Sequence, residues 1–369
     1  MTPFAKNKPV TLDQRGRSGL EILGSMQKFT SAHVRGKAKA AFEADPEGAA
    51  IVRGWNDRHN EPWAERIAKA RDVAERSAAY GAERLLQRYV AEEVYVRGIP
   101  ATERRRKEAE AFMQSPIEKP AGGTLELDPN VKYPDWYEVE WHLMPGGWDG
   151  YDLIGATMSS GIAPLVFRHG GYAAVESGDD ILQQRIDVAK QFPKKSYGRI
   201  YEPGCGGVGT LMAVKKVFPE CEVVGSDLST RLLKNAHAAA ERMGFKITLK
   251  QRDARDTREP DASFDGVIMY ALQHEMPVDV NVDSFKEAFR ILKPGGDIVL
   301  SDPPPFSAVH PFQAVVLDWD TDNRGEPFFS EILSQDWPQT LRDIGFVNVE
   351  AYTVGKQGYP WVIRGSKPL

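Results

Sequence analysis

Residues 198–218 read GRIYEPGCGGVGTLMAVKKVF, and the fold follows from them. An apolar run through Ile200 and Tyr201 ends at Glu202-Pro203, passes into Gly204-Cys205-Gly206-Gly207-Val208-Gly209, and continues as a helical pattern from Thr210 to Phe218. A strand that enters a helix through glycines makes a tight turn whose backbone approaches a ligand with no Cβ in the way. Gly204-x-Gly206-x-x-Gly209 is the dinucleotide fingerprint, which alone does not separate a nicotinamide cofactor from other adenosine-bearing ones.

Working outward, a regular alternation begins at Asp179. Helix (DDILQQRIDVAKQF), strand (GRIYEPG), helix (TLMAVKKVF), strand (EVVGSDLS), helix (TRLLKNAHAAAERMG) and strand (KITLKQRDA) follow one another, then strand (FDGVIMYAL), helix (VDSFKEAFRIL) and strand (GDIVLSDP). Such alternation predicts an α/β domain with a parallel, doubly wound sheet. VNVEAYTV and GYPWVIRGS then read as a closing antiparallel hairpin. Four features narrow the cofactor. Glu202 ends the first strand, where a carboxylate suits an ammonium group. Asp227 ends the second, placed for ribose hydroxyls. Asp253-Ala254 ends the third, within reach of an adenine amino group. Phe264–Met269 and Leu292-Lys293-Pro294-Gly295-Gly296 complete the order.

With these motifs in sequence, residues from about 180 to 369 resemble the class I S-adenosylmethionine-dependent methyltransferases, close to their broad UbiE-like branch. The resemblance implies a Rossmann-like, doubly wound, seven-stranded domain over 179–369 that binds S-adenosyl-L-methionine. It implies that Glu202, Gly204, Gly206, Asp227 and Asp253 hold the cofactor, with Ala254 beside Asp253 and Leu228 packing on the adenine.

Methyl transfer asks chiefly for alignment of nucleophile, methyl and sulfur, and for a base when the nucleophile carries a proton. Candidates belong after the fourth strand, at the carboxyl edge of the sheet. That place holds Tyr270-Ala271-Leu272-Gln273-His274-Glu275-Met276-Pro277. His274 with Glu275 is the expected catalytic pair, His274 as a general base near neutral pH; the alternative is that both only brace the following segment. Asp302-Pro303-Pro304-Pro305-Phe306 resembles the motif of adenine and glutamine N-methyltransferases but follows the fifth strand, so it is read as a strand end that directs a loop. Residues 306–335, with His310, are read as an insertion that covers substrate or merely packs. Arg168 and Tyr172, before the domain's first helix, are further substrate candidates, and no Cys/His cluster shows metal-ligand spacing.

Residues 1–130 are read as a mainly helical region serving as a lid or dimer surface. Its first 40 residues look like a basic, weakly patterned arm. A helix is expected from Trp63 to about Val96, with Pro100 ending the run, and another before Pro116. Residues 131–178 form an aromatic, Gly/Pro-rich connector, in which YPDWYEVEWHLMPGGWDGYD carries Trp148 and Tyr151 as candidate acceptor contacts.

The composition is that of an ordinary globular protein: 369 residues, 41% hydrophobic and 27% charged. The net charge of −5 gives no general reason to expect nucleic-acid partners. Residues 1–120 carry 22 Lys+Arg against 17 Asp+Glu, a balance of +5 that leaves −10 elsewhere. Cys205 and Cys221 are too few for a disulfide framework. No stretch approaches the roughly 20 apolar residues of a membrane span, and a cytoplasmic enzyme is expected. Its partners are expected to be a small-molecule acceptor and a second copy in a homodimer. An RNA or protein methyltransferase, or a non-catalytic cofactor-binding subunit, are the rival readings.

Overall fold

The structure, a computed structural model, describes residues 9–57, 61–169, 181–355 and 358–369. The expected basic arm is helical. Asp13 caps α1 (Gln14–Phe29) by accepting the Gly16 N–H at 2.7 Å, and one π turn (Thr30–Val34) joins it to α2 (Arg35–Ala44). Its apolar residues are few, but Leu20 and Leu23 are fully buried. α3 (Pro46–Arg53), α4 (Trp63–Glu75), α5 (Ala78–Glu103) and α6 (Arg106–Gln114) complete the N-terminal helices.

The helix expected from Trp63 to Val96 is therefore two, broken at Arg76-Ser77, and Pro100 lies inside α5 instead of ending it. Proline forfeits one helical hydrogen bond there. Tertiary packing outweighs that loss, because Gly98, Ala101 and Thr102 are buried. The Thr102 hydroxyl also donates to the Gly98 carbonyl at 3.1 Å and accepts from Thr157 at 2.8 Å.

The sheet contains β1 (Thr124–Glu126), β2 (Arg199–Pro203), β3 (Glu222–Asp227), β4 (Thr248–Gln251), β5 (Phe264–Tyr270), β6 (Leu292–Asp302), β7 (Val347–Thr353) and β8 (Trp361–Ser366). Their order is β1-β4-β3-β2-β5-β6-β8-β7, parallel except for β8, which runs antiparallel to both neighbours. From β2 the chain winds one way to β3 and β4, and the other way to β5 and β6. The switch point between β2 and β5 opens a crevice at the carboxyl edge, where open α/β sheets bind ligands.

Seven strands, β2–β8, fall within 179–369 as expected, and the sheet gains an eighth from outside that range. β1 comes from the N-terminal region and pairs Thr124 with Thr248 on β4. The Glu241 carboxylate secures it by accepting the Gly122 and Gly123 N–H groups. Three residues after two glycines carry too little pattern to be read as a strand.

Helices cover both faces. α7 (Ile154–Thr157), α8 (Ala163–Leu165) and α9 (Ile181–Ala189) precede β2. α10 (Gly209–Val217), α11 (Thr230–Met243) and α12 (Val278–Ile291) lie in the crossovers. α13 (Pro311–Asn323) and α14 (Phe329–Leu333) form the 306–335 insertion, and α15 (Trp337–Ile344) precedes β7. The insertion does not stand alone. Phe306, Phe312 and Val316 are buried in one cluster with Phe42, Ile67 and Val73 of the N-terminal helices, and the Trp55 indole N–H donates to the Phe306 carbonyl at 3.0 Å.

Candidate active site

The cofactor cradle forms where β2 and β3 end side by side. Gly204 and Gly206 take positive φ angles of 60° and 49°, a region that favours glycine. A Cβ on Gly204 would lie 2.3 Å from Leu272, whereas one on Gly206 would project into open space. The Gly206 N–H donates to Asp227 at 2.8 Å, and the Ser229 N–H donates to the other Asp227 oxygen at 2.8 Å. Burial pushes the Asp227 carboxyl up to about 6. Glu202 is 1% exposed, burial holds its carboxyl well above the usual range, and its Oε2 has no hydrogen-bond partner.

These are the demands of S-adenosylmethionine, and the residues fit it. A buried, unpartnered carboxylate oxygen suits the methionine ammonium group. An acidic side chain one strand over suits the ribose hydroxyls. Leu228, Asp253 and Ala254 line the same cavity as Glu202, Gly204, Gly206 and Asp227. Asp253 already accepts from the Arg255 backbone at 2.8 Å and from its guanidinium at 2.7 Å.

The aromatic connector closes over this cradle. Asp149 is the staple: its carboxylate accepts from the Tyr137 hydroxyl at 3.0 Å and the Ser229 hydroxyl at 2.8 Å, while Arg231 donates to its carbonyl. Tyr137 and Trp148 are thereby held at the cavity wall beside Trp136 and Trp141.

His274 and Glu275 lie in a short 3-10 turn (Gln273–Glu275) at the far side of the cavity. Tyr270 pairs with Ser301 across β5 and β6, so the chain just beyond each strand meets at one edge. Asp302 accepts from the His274 backbone N–H at 3.0 Å, and its other oxygen sits 2.6 Å from His274 Nδ1. His274 Nε2 is 3.4 Å from Glu275 Oε1. Burial opposes the charge on His274, but Asp302 and Glu275 outweigh it and hold the imidazole well above its ordinary pKa. Burial likewise opposes charge on Glu275, yet His142 and His274 pull its carboxyl down to about 2.

Behind this turn a second, narrow cleft shares His142, Ala271 and His274 with the cofactor cavity. Val90, Ala91, Val94 and Tyr95 of α5 form one wall, Val166 and Phe167 another. Asp320, Arg324, Glu326 and Phe329 from the insertion close it. Burial pushes the Asp320 carboxyl up to about 6.

Ten of the residues singled out from sequence thus surround one cavity: Glu202, Gly204, Gly206, Asp227, Leu228, Asp253, Ala254, Trp148, His274 and Glu275. Three others stand elsewhere. Tyr151 donates its hydroxyl to Glu103 at 2.6 Å on the α5–α6 side. His310 caps α13 by accepting the Phe312 N–H and packs against Phe42, because a histidine before a proline at the first helical position serves the helix end. Arg168 is exposed and lines neither cavity. Tyr172 lies outside the described residues. His142, Asp302 and the α5 wall join the site with no signal in their local sequence beyond the Asp302-Pro303-Pro304 motif, which ends β6 and places Asp302 beside His274.

Residues 200–296 match a family described as a methyltransferase domain. The demethylmenaquinone methyltransferase of Thermus thermophilus is 29% identical over 156 residues, 42% of this chain and 61% of that one. The sterol 24-C-methyltransferase of Aspergillus fumigatus is 32% identical over 111 residues, 30% of this chain and 29% of that one. Among solved structures, the phosphoethanolamine N-methyltransferase 2 of Haemonchus contortus aligns over 60% of both chains, with a TM-score of 0.41 and 15% identity. The chain spans less than two thirds of the length of these relatives. Residues 200–296 thus carry a methyltransferase domain, and the chain is similar through it to S-adenosylmethionine-dependent methyltransferases.

Proposed function

We propose that the protein methylates an oxygen of a small organic molecule held in the narrow cleft between α5 and the insertion. One observation carries this reading: the cleft and the cofactor cavity meet at His142, Ala271 and His274. An acceptor lying against Val94, Phe167 and Phe329 then presents its reactive atom toward the cofactor side. Enclosed, largely apolar walls suit a small molecule and disfavour a nucleic acid or a protein chain.

S-adenosylmethionine, when bound, supplies a methyl carbon activated by its sulfonium, and S-adenosylhomocysteine remains after transfer. The residues of this chain do the rest. Trp148, Tyr137 and the turn from Gln273 exclude water and fix the approach, which is where most of the acceleration arises. His274, in its neutral form and oriented through Nδ1 by Asp302, takes the acceptor's proton as the oxygen–carbon bond forms. Because Asp302 and Glu275 hold the imidazole well above its ordinary pKa, the rate should climb as pH rises past the ordinary histidine range. Residues 1–130 and 131–178 serve as the acceptor-side wall and cover of the catalytic region 179–369.

The test is methyl transfer from labelled S-adenosylmethionine to a panel of small hydroxylated compounds. The expected result is a methyl ether with one S-adenosylhomocysteine per turnover. His274→Gln should lower single-turnover rates by about 10²–10⁴-fold while cofactor affinity stays within about threefold of wild type. A normal single-turnover rate in that variant removes His274 from proton transfer. Failure of every acceptor to yield S-adenosylhomocysteine overturns the whole reading.

A further inference from the structure

The seam between the two cavities holds more carboxylate than methyl transfer requires. His142 Nδ1 lies 2.6 Å from Glu326 Oε1, and its Nε2 lies 3.1 Å from Glu275 Oε1. The side chains are 14%, 7% and 13% exposed for His142, Glu326 and Glu275. One potential ligand atom from each lies within 4.8 Å of the others. Oε2 of Glu275 and Oε2 of Glu326 are both buried without a hydrogen-bond partner. Leaving a buried carboxylate oxygen unpaired is costly, and each such oxygen calls for a ligand.

The backbone is shaped to bring these groups together. His142 sits at a φ of 55°, a conformation that non-glycine residues seldom adopt. Its N–H donates to the Gly325 carbonyl at 3.2 Å. Gly325 itself is at φ 68°, and a Cβ there would lie 2.6 Å from the Glu140 carbonyl and 3.1 Å from the His142 nitrogen. Only a glycine lets the 141–143 turn come this close to the end of α13, next to Glu326.

We propose that His142, Glu275 and Glu326 bind a divalent transition-metal ion of the Mn²⁺, Fe²⁺ or Zn²⁺ kind at the seam of the acceptor cleft and the cofactor cavity. One imidazole with two carboxylates suits such an ion better than Mg²⁺ or Ca²⁺, which prefer oxygen donors throughout. An ion about 2.1 Å from each donor needs them within about 4.2 Å of one another. The donors lie within 4.8 Å, with Glu275 and Glu326 on opposite ring nitrogens of His142, so loading the ion takes a turn of the imidazole that gives up one carboxylate contact as the donors close in. Three protein ligands leave positions open for substrate oxygens, as in catalytic sites. His142 and Glu326 face the cleft, and His142 and Glu275 face the cofactor cavity. An ion there would grip an acceptor with two adjacent oxygens, such as vicinal hydroxyls or a hydroxyl beside a carbonyl, and favour its oxyanion. This choice of acceptor rests on the proposed methyl transfer; the metal site itself does not.

The experiment is titration of the metal-stripped full chain, without cofactor or acceptor, with Mn²⁺ followed by electron paramagnetic resonance and with Zn²⁺ followed by calorimetry. One equivalent of each should bind, and Glu326→Gln and His142→Asn should each weaken binding at least tenfold. Glu350→Gln, which alters an exposed pair with Arg364, should leave it unchanged, and melting curves establish that each variant is folded. Should Glu326→Gln not fold, His142→Asn and Gly325→Ala carry the same comparison. Absence of binding to the wild-type chain, or equal binding by the folded variants, overturns the metal site and leaves methyl transfer standing. Tight, variant-sensitive binding with no methyl transfer to any acceptor leaves the site standing and sinks the function.

Discussion

Asp227 shows how much a single side chain carries in this fold. It ends β3, accepts the Gly206 and Ser229 N–H groups, and so ties the glycine turn to the next helix while facing the cofactor cavity. Burial, only partly offset by those two donors, raises its carboxyl to about 6. With the folded value above the ordinary 3.8, the stability this group contributes is fully present below about pH 4 and lost as pH rises through about 6. With Asp227 proposed as the ribose ligand, the cofactor should reverse the preference, because ribose hydroxyls donate best to the ionised form. S-adenosylmethionine affinity should therefore rise between about pH 5 and 7 and then level off. Asp227→Ala should weaken it by about 1.5–3 kcal/mol, the worth of charge-assisted hydrogen bonds. Calorimetry across that range checks both, and a flat profile with an unaffected variant would remove Asp227 from the ribose site.

At the scale of elements, the proposed acceptor site rests on α5 as much as on the sheet. Ala91 is 5% exposed and sits in the cleft wall between Val90 and Val94. Ala91→Leu extends the side chain into the space the acceptor needs. Its KM for the acceptor should rise at least tenfold, while cofactor affinity, set at the ends of β2 and β3, should stay unchanged. An unaltered KM in a folded variant would take α5 out of the acceptor site. The contrast between these elements also explains what could be read from sequence. Glu202, Asp227 and Asp253 stand at the ends of apolar strands, each fixed by local spacing, so the cradle was legible. Ala91 stands in a helix whose pattern announces the helix but not what its inner face meets. His142 reaches Glu326 only because Gly325 permits a close approach across 184 positions of chain. Asp302 meets His274 only because β5 and β6 are neighbours in register. Contacts of that kind belong to the topology, and nothing in the local sequence signals them.

The whole molecule is held as one piece by charge buried between the N-terminal helices and the insertion. Glu83 on α5 is 0% exposed and accepts from the Arg35 guanidinium of α2 at 2.9 and 2.8 Å. It also pairs with Arg84, whose guanidinium lies 4.6 Å from the Trp319 ring centroid and 3.5 Å from the Val316 carbonyl of α13. Burial opposes the charge on Glu83, but Arg35 and Arg84 outweigh it and hold its carboxyl below the ordinary value. A buried pair adds little net stability over an apolar replacement, yet removing one partner strands the others. Glu83→Gln removes the carboxylate shared by two buried guanidinium groups, although Arg84 keeps Asp320 at 3.9 Å, and should cost about 3–5 kcal/mol. Glu350→Gln, whose carboxylate is 57% exposed beside Arg364, should cost no more than about 1 kcal/mol. Denaturant unfolding of the two variants gives the comparison directly. The effect of Glu83→Gln should also reach the proposed acceptor cleft, because α13 carries Asp320 into its wall and leads directly to Arg324 and Glu326. Acceptor KM should then rise in the folded fraction while S-adenosylmethionine affinity holds, since the cradle lies on the sheet. Equal stability losses in the two variants would mean that the buried network is not what joins the N-terminal helices to the insertion, and that the apolar contacts of Phe42, Phe306 and Phe312 do so alone.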